Sequence, residues 1–118
     1  MTILNNKAFW DLLDKLVCEH EIVIDRPKGS RHPKYQDYIY PLDYGYLDGT
    51  SSSDNAGIDV WRGSLNVKSV DAVICSIDYL KKDSEIKILC GCTRDEIEKI
   101  YADHNRSEGM KGVLISRE

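Results

Sequence analysis

Asp25, Asp54, Asp59, Asp78 and Glu85 stand at the starts and ends of segments with strand-like patterning, a placement that can deliver several carboxylates to one mouth. Hard cations such as Mg²⁺ take carboxylate oxygens and keep waters that a phosphate can replace, so a few converging acids are what a protein contributes to a metal-assisted phosphate site. The cations and donors that would face the phosphates are Lys34, Lys87, Arg31 and the hydroxyl of Tyr44. Each has a plainer reading. An isolated acid is most often a turn residue or a solvated charge, and Asp54 beside Asn55 is a natural turn former. Lys87, between Ile86 and Ile88, fits the solvent face of a strand, and tyrosines often pack as core with one wet end.

The elements that must position these residues can be read from periodicity. Phe9, Leu12, Leu13, Leu16 and Val17 recur at helical spacing, which predicts a core-facing helix over about 6–20 with Asn5 or Asn6 as N-cap. Alternation at Ile22 and Ile24 predicts a strand over 21–26, and Pro27, Gly29 and Pro33 then impose a loop over 28–34. Five tyrosines follow within twelve residues, Tyr35 to Tyr46, more aromatic density than a surface loop needs. The polar run 49–57 leads to a strand over 58–63, with Asp59 at its head. Residues 67–80 and 85–92 predict a hairpin turning at Lys81, Lys82 and Asp83. Thr93 and Glu96 form a capping-box pattern for a helix reaching about His104, and Val113, Leu114 and Ile115 suit a last strand.

The whole chain, 1–118, reads as a single domain, long enough to bury its own core. Hydrophobic residues make up 42% and charged residues 31%, which excludes disorder as the ground state. A net charge of −4 argues against nucleic acid as partner, although Arg26, Lys28, Arg31, His32 and Lys34 gather positive charge locally. No apolar stretch is of membrane-crossing length, and residues 1–7 lack a secretory pattern, so the expected address is cytoplasmic, with no membrane partner. Association into a homo-oligomer is compatible with this composition. Of the four cysteines, Cys90 and Cys92 lie two apart in an apolar run and are expected to share a strand face, with Cys75 joining from a neighbour. Buried thiols are the better reading, because a metal site would need a fourth ligand.

Read as one string, Ile24-Asp25-Arg26-Pro27, Lys34-Tyr35, Tyr40-Pro41-Leu42-Asp43-Tyr44-Gly45-Tyr46 and Asp54-Asn55-Ala56-Gly57-Ile58-Asp59-Val60 occur in order, and over 21–92 the chain resembles the soluble inorganic pyrophosphatase family. The resemblance implies an α+β fold that is mainly β: a small, closed, OB-like barrel with flanking helices. It implies Mg²⁺ at Asp54, Asp59, Asp78 and Glu85, phosphate contacts from Lys34, Tyr44 and Lys87, and matches Asp25 to the acid before the proline, nine positions ahead of Lys34. Asp59, Lys34 and Tyr44 are the catalytic candidates it points to, and Mg²⁺-dependent hydrolysis of pyrophosphate the reaction. Three departures stand out. The family aspartate that helps deprotonate the attacking water is here Ala56, a hairpin carrying a phosphate-binding arginine is missing, and the family's late tyrosine-lysine pair has only His104-Asn105 nearby. These leave room for another small phosphate compound as substrate, or for a non-catalytic metal and phosphate binding module.

Overall fold

The structure is a computed structural model in which residues 6–52 and 55–117 are described. Helix α1 (Lys7–Glu19) begins where the Asn6 side chain accepts a hydrogen bond from the backbone N–H of Phe9. Its apolar stripe centres on Trp10 and Val17, both buried, with Leu13 and Leu16 packed beside them. Phe9 and Leu12, expected on that stripe, are 44% and 67% exposed, because the helix is rolled to seat the large Trp10 ring instead.

Strands β1 (Ile22–Arg26), β2 (Asp43–Leu47), β3 (Ile58–Arg62), β4 (Val70–Asp78), β5 (Asp83–Cys90) and β6 (Met110–Ser116) form one six-stranded sheet in the order β1-β2-β3-β5-β4-β6. All neighbours are antiparallel except β3 and β5, which run parallel. Helix α2 (Arg94–His104) precedes β6 and carries the expected capping box: Thr93 accepts from Glu96 N–H, and the Glu96 carboxylate accepts from Thr93 N–H at 2.8 Å. Such a cap is worth about 0.5–2 kcal/mol.

The sheet corrects the expectation of a closed barrel. Among the described residues β1 pairs only with β2 and β6 only with β4, so the sheet ends in two open edges. The reason lies in its coverage. Trp10 and Val17 of α1 pack with Leu47, Val60, Val73 and Ile88 on one face. On the other, Ile100 of α2 and the loop residues Tyr40 and Leu42 pack with Trp61, Ile74 and Leu89. A sheet flanked on both sides buries its apolar residues without curling onto itself.

Two further differences have local causes. β2 was not legible as a strand because its sequence, Asp-Tyr-Gly-Tyr-Leu, carries the composition of a turn. Gly45 is there for a steric reason: a Cβ would lie 1.7 Å from the Val23 carbonyl oxygen, so only glycine lets β1 pass this close at its bulge. Cys90 and Cys92 do not share a face. Gly91 turns the chain at φ +65°, which sends Cys90 to the α1 side of the sheet and Cys92 to the α2 side. Both thiols are buried and free, and burial pushes the Cys92 thiol up to about 12, which keeps it unreactive.

Candidate active site

A cavity of about 1140 Å³ opens on the α2 side of the sheet, above the neighbouring strands β2, β3 and β5. Alternation along these strands sends Tyr44, then Asp59 and Trp61, then Glu85 and Lys87 to its floor. At the centre stands Lys87, only 7% exposed, in place of the solvent position that its alternation with isoleucines allowed. Its ammonium donates to Asp59 Oδ2 at 2.8 Å, to Glu85 Oε2 at 3.1 Å and to the Tyr44 hydroxyl oxygen at 2.7 Å, which uses all three of its donors. Burial disfavours this charge, yet the contacts with Tyr44 and the Asp59 carboxylate outweigh burial and hold the Lys87 pKa above the ordinary lysine value. Burial pushes the Tyr44 phenol above its usual range, so it stays protonated and keeps one O–H to donate.

The other expected residues separate into two groups. Asp25, at the bulge of β1, and Asp78, at the end of β4, line the same cavity. Asp78 also accepts from Lys81 N–H at 3.1 Å, which closes the turn into β5. Lys34 and Arg31 are not among the lining residues. Their loop folds back on itself through a bridge between Arg31 and Ile39, which leaves Lys34 exposed with its amine 5.5 Å from the Tyr35 ring, while Arg31 donates to the Gln36 carbonyl at 2.8 Å. Asp54 lies outside the described residues. Ala56 lines the cavity with its methyl group where the family resemblance places an acid.

Several lining groups escaped sequence reasoning. Arg26 faces the cavity and donates to the Tyr40 hydroxyl at 3.0 Å; its place in the Ile24–Pro27 string was the available signal. Tyr38 donates a short hydrogen bond to the Asp103 carboxylate, joining the loop to α2. His104 accepts from the Trp61 indole N–H at 3.1 Å through Nε2, so the neutral ring carries its proton on Nδ1, which has no partner among the described residues.

Burial, helped by the nearby Lys87 charge, lowers the His104 pKa from 6.5 to about 4. A folded pKa below the unfolded one means that the unfolded chain binds the extra proton between these values, so stability is full above about pH 6.5 and drains as pH falls toward 4. The expected loss is about 3 kcal/mol. In His104→Gln, whose amide oxygen can still accept from Trp61, urea midpoints should fall much less across this window than in the parent; parallel curves would show that His104 is not the group responsible.

The donor set suits a hard divalent cation. The cavity holds His32 and His104 but is richer in carboxylates, and of these Asp59 and Glu85 already converge on one cationic centre, the Lys87 ammonium. No group of three or more His, Cys, Asp or Glu able to hold a metal is gathered among the described residues. Two carboxylates are nonetheless the usual protein share for Mg²⁺, whose remaining positions go to water and substrate phosphates.

No protein-family model matches the sequence, and no curated protein does. Solved structures do match. An inorganic phosphatase from Anaplasma phagocytophilum aligns with a TM-score of 0.54 at 14% identity, covering 80% of this chain and 81% of that one. An inorganic pyrophosphatase from Helicobacter pylori aligns with a TM-score of 0.53 at 14% identity over the same shares, 80% and 81%. One from Neisseria gonorrhoeae reaches 0.50 at 18% identity, covering 83% of this chain and 75% of that one. The chain therefore has an α+β fold shared with the inorganic pyrophosphatases.

Proposed function

We propose that this pyrophosphatase-like fold carries a Mg²⁺-dependent hydrolase of a small phosphoanhydride, with inorganic pyrophosphate as the first substrate to test, working in the cytoplasm. The observation that supports it is the Asp59–Lys87–Glu85 cluster, with Tyr44, at the floor of an open cavity on that fold. In the reaction, water oxygen bonds to one phosphorus, the bridging P–O bond breaks, and two phosphates leave.

Lys87 and Tyr44 bind the phosphates. A phosphate oxygen displaces one of the three acceptors around the ammonium, and the Tyr44 O–H donates to a second oxygen, so negative charge that builds on the leaving group meets donors already in place. Arg26 adds a guanidinium at the cavity wall. Asp59 and Glu85 would hold the cation, with Asp25 and Asp78 lining the same space. When bound, Mg²⁺ supplies charge neutralisation and a more acidic water. Ala56 contributes no base, so turnover is expected to be slow rather than absent. That same residue favours a second reading, a module that binds metal and phosphate without turnover.

Phosphate release from pyrophosphate, with Mg²⁺ and with excess chelator, separates the two, together with calorimetry of a non-hydrolysable diphosphonate. Asp59→Asn should lower Mg²⁺-dependent release by about 10²-fold or more, as removal of a preorganised charged group does. It should change the urea midpoint little, because Lys87 retains Glu85 and Tyr44. Full activity in the folded variant would remove Asp59 from the reaction.

A further inference from the structure

A cavity of about 1140 Å³ is larger than pyrophosphate requires, and it exceeds even the range of about 300–1,000 Å³ common for pockets that hold drug-sized ligands. The excess space has a definite chemistry. From the Lys87 ammonium, 5.3 Å from the Tyr44 ring, an aromatic series runs outward to the mouth. Tyr44 stacks on Tyr40 at 5.6 Å, Tyr40 on His32 at 6.2 Å with 11° between planes, and His32 meets Tyr35 at 5.0 Å. Tyr40 is buried and braces the series from behind, whereas Tyr35 is 54% exposed and lines the cavity. Tyr38 meets Tyr40 edge-on at 5.0 Å and has the Arg106 guanidinium 5.7 Å from its ring.

The loop that carries this wall is rigidly built rather than incidental. Gly29 N–H donates to the Tyr40 carbonyl and Tyr40 N–H to the Ser30 carbonyl, each at 2.9 Å. The backbone N–H groups of Lys34 and Tyr35 both donate to His32 Nδ1, at 3.0 and 3.1 Å, which fixes the imidazole's orientation. Phosphate-binding groups at one end and a fixed aromatic wall at the other match a ligand that joins a diphosphate to a planar ring.

We propose, building on the phosphoanhydride hydrolase reading above, that the substrate class is nucleoside diphosphates, with the phosphates at Lys87 and Tyr44 and the base against His32, Tyr35 and Tyr38. Hydrolysis then follows the same balance: water oxygen bonds to the terminal phosphorus, the bond from that phosphorus to the bridging oxygen breaks, and the nucleoside monophosphate leaves with the bridging oxygen. The products are a monophosphate and inorganic phosphate.

Calorimetry on the whole chain with Mg²⁺ tests this with two non-hydrolysable probes, adenosine α,β-methylene diphosphate and methylene diphosphonate. Stacking of one base should make the nucleotide bind about tenfold more tightly. Tyr35→Ala, at an exposed position where truncation does not threaten the fold, should shrink the ratio of the two affinities by about fivefold or more. Equal affinities, or a ratio unmoved by Tyr35→Ala, overturn the nucleotide proposal; if phosphate is still released from pyrophosphate, the hydrolase reading survives that failure. Absence of binding by both probes and of phosphate release from pyrophosphate and ADP alike overturns both.

Discussion

Lys87→Met is expected to cut Mg²⁺-dependent phosphate release by about 10²–10³-fold, the cost of removing a preorganised donor from the place where charge develops. Methionine fills much of the lysine's volume, so the loss would come from charge rather than from a cavity. The same change leaves Asp59 and Glu85 facing each other without the ammonium that both now contact, at 2.8 and 3.1 Å. Their side chains are 25% and 24% exposed, so water relieves part of the repulsion, and a stability loss of about 1–3 kcal/mol at pH 7 is the expected scale. The Lys87 charge also adds to burial in depressing the His104 pKa, so the variant should lose less stability than the parent as pH falls from about 6.5 toward 4. Urea midpoints at several pH values, beside phosphate-release rates, read both effects. Unchanged turnover in a folded variant would make Lys87 a structural lysine and leave the site without its central cation.

What the sequence makes legible is what neighbours in the chain decide. Asn6 and Thr93 announce their helices because a cap is made with residues three positions on. Asp59 and Tyr44 could be singled out because they fall within ordered strings, and alternation alone puts Glu85 and Lys87 on one side of β5. Whether that side is solvent or site depends on which strand lies alongside, and the parallel pairing of β3 with β5 brings Asp59 to Lys87 across 28 positions of sequence. The same non-locality hid His104, whose role depends on an indole 43 positions away, and Asp103, which meets Tyr38 across 65. Lys34 shows the converse hazard. Its spacing from Asp25 fits the family string, but the loop between them doubles back at the Arg31–Ile39 bridge, and the lysine goes outward with it. Spacing in sequence carries a residue to a site only where the path between is an extended strand or a regular helix.

Ala56→Asp is expected to raise the rate of pyrophosphate hydrolysis by about 10²-fold, the lower range for general-base assistance, with little change in KM. Ala56 is exposed at the cavity edge, so a carboxylate there displaces no packed neighbour. The backbone beneath it is already held: Ser52 N–H donates to the Ala56 carbonyl at 2.8 Å, and the turn is made by Asn55, at φ +64°, rather than by a flexible Gly57. Gly57 is needed instead for close approach, since a Cβ would lie 2.7 Å from the Leu47 carbonyl oxygen. The new side chain therefore projects from a fixed point, which favours one geometry over many. Opposing this is repulsion with Asp59, which also lines the cavity; it would lower activity at neutral pH. The pH–rate profiles at saturating Mg²⁺ distinguish the two effects. A base that takes a proton gives a higher plateau above its own pKa, while repulsion alone shifts the rising limb to higher pH without lifting the plateau. If both proteins bind the diphosphonate in the presence of Mg²⁺ and neither releases phosphate, Ala56 marks a site that recognises its ligand without turning it over, and the binding-module reading replaces the enzyme.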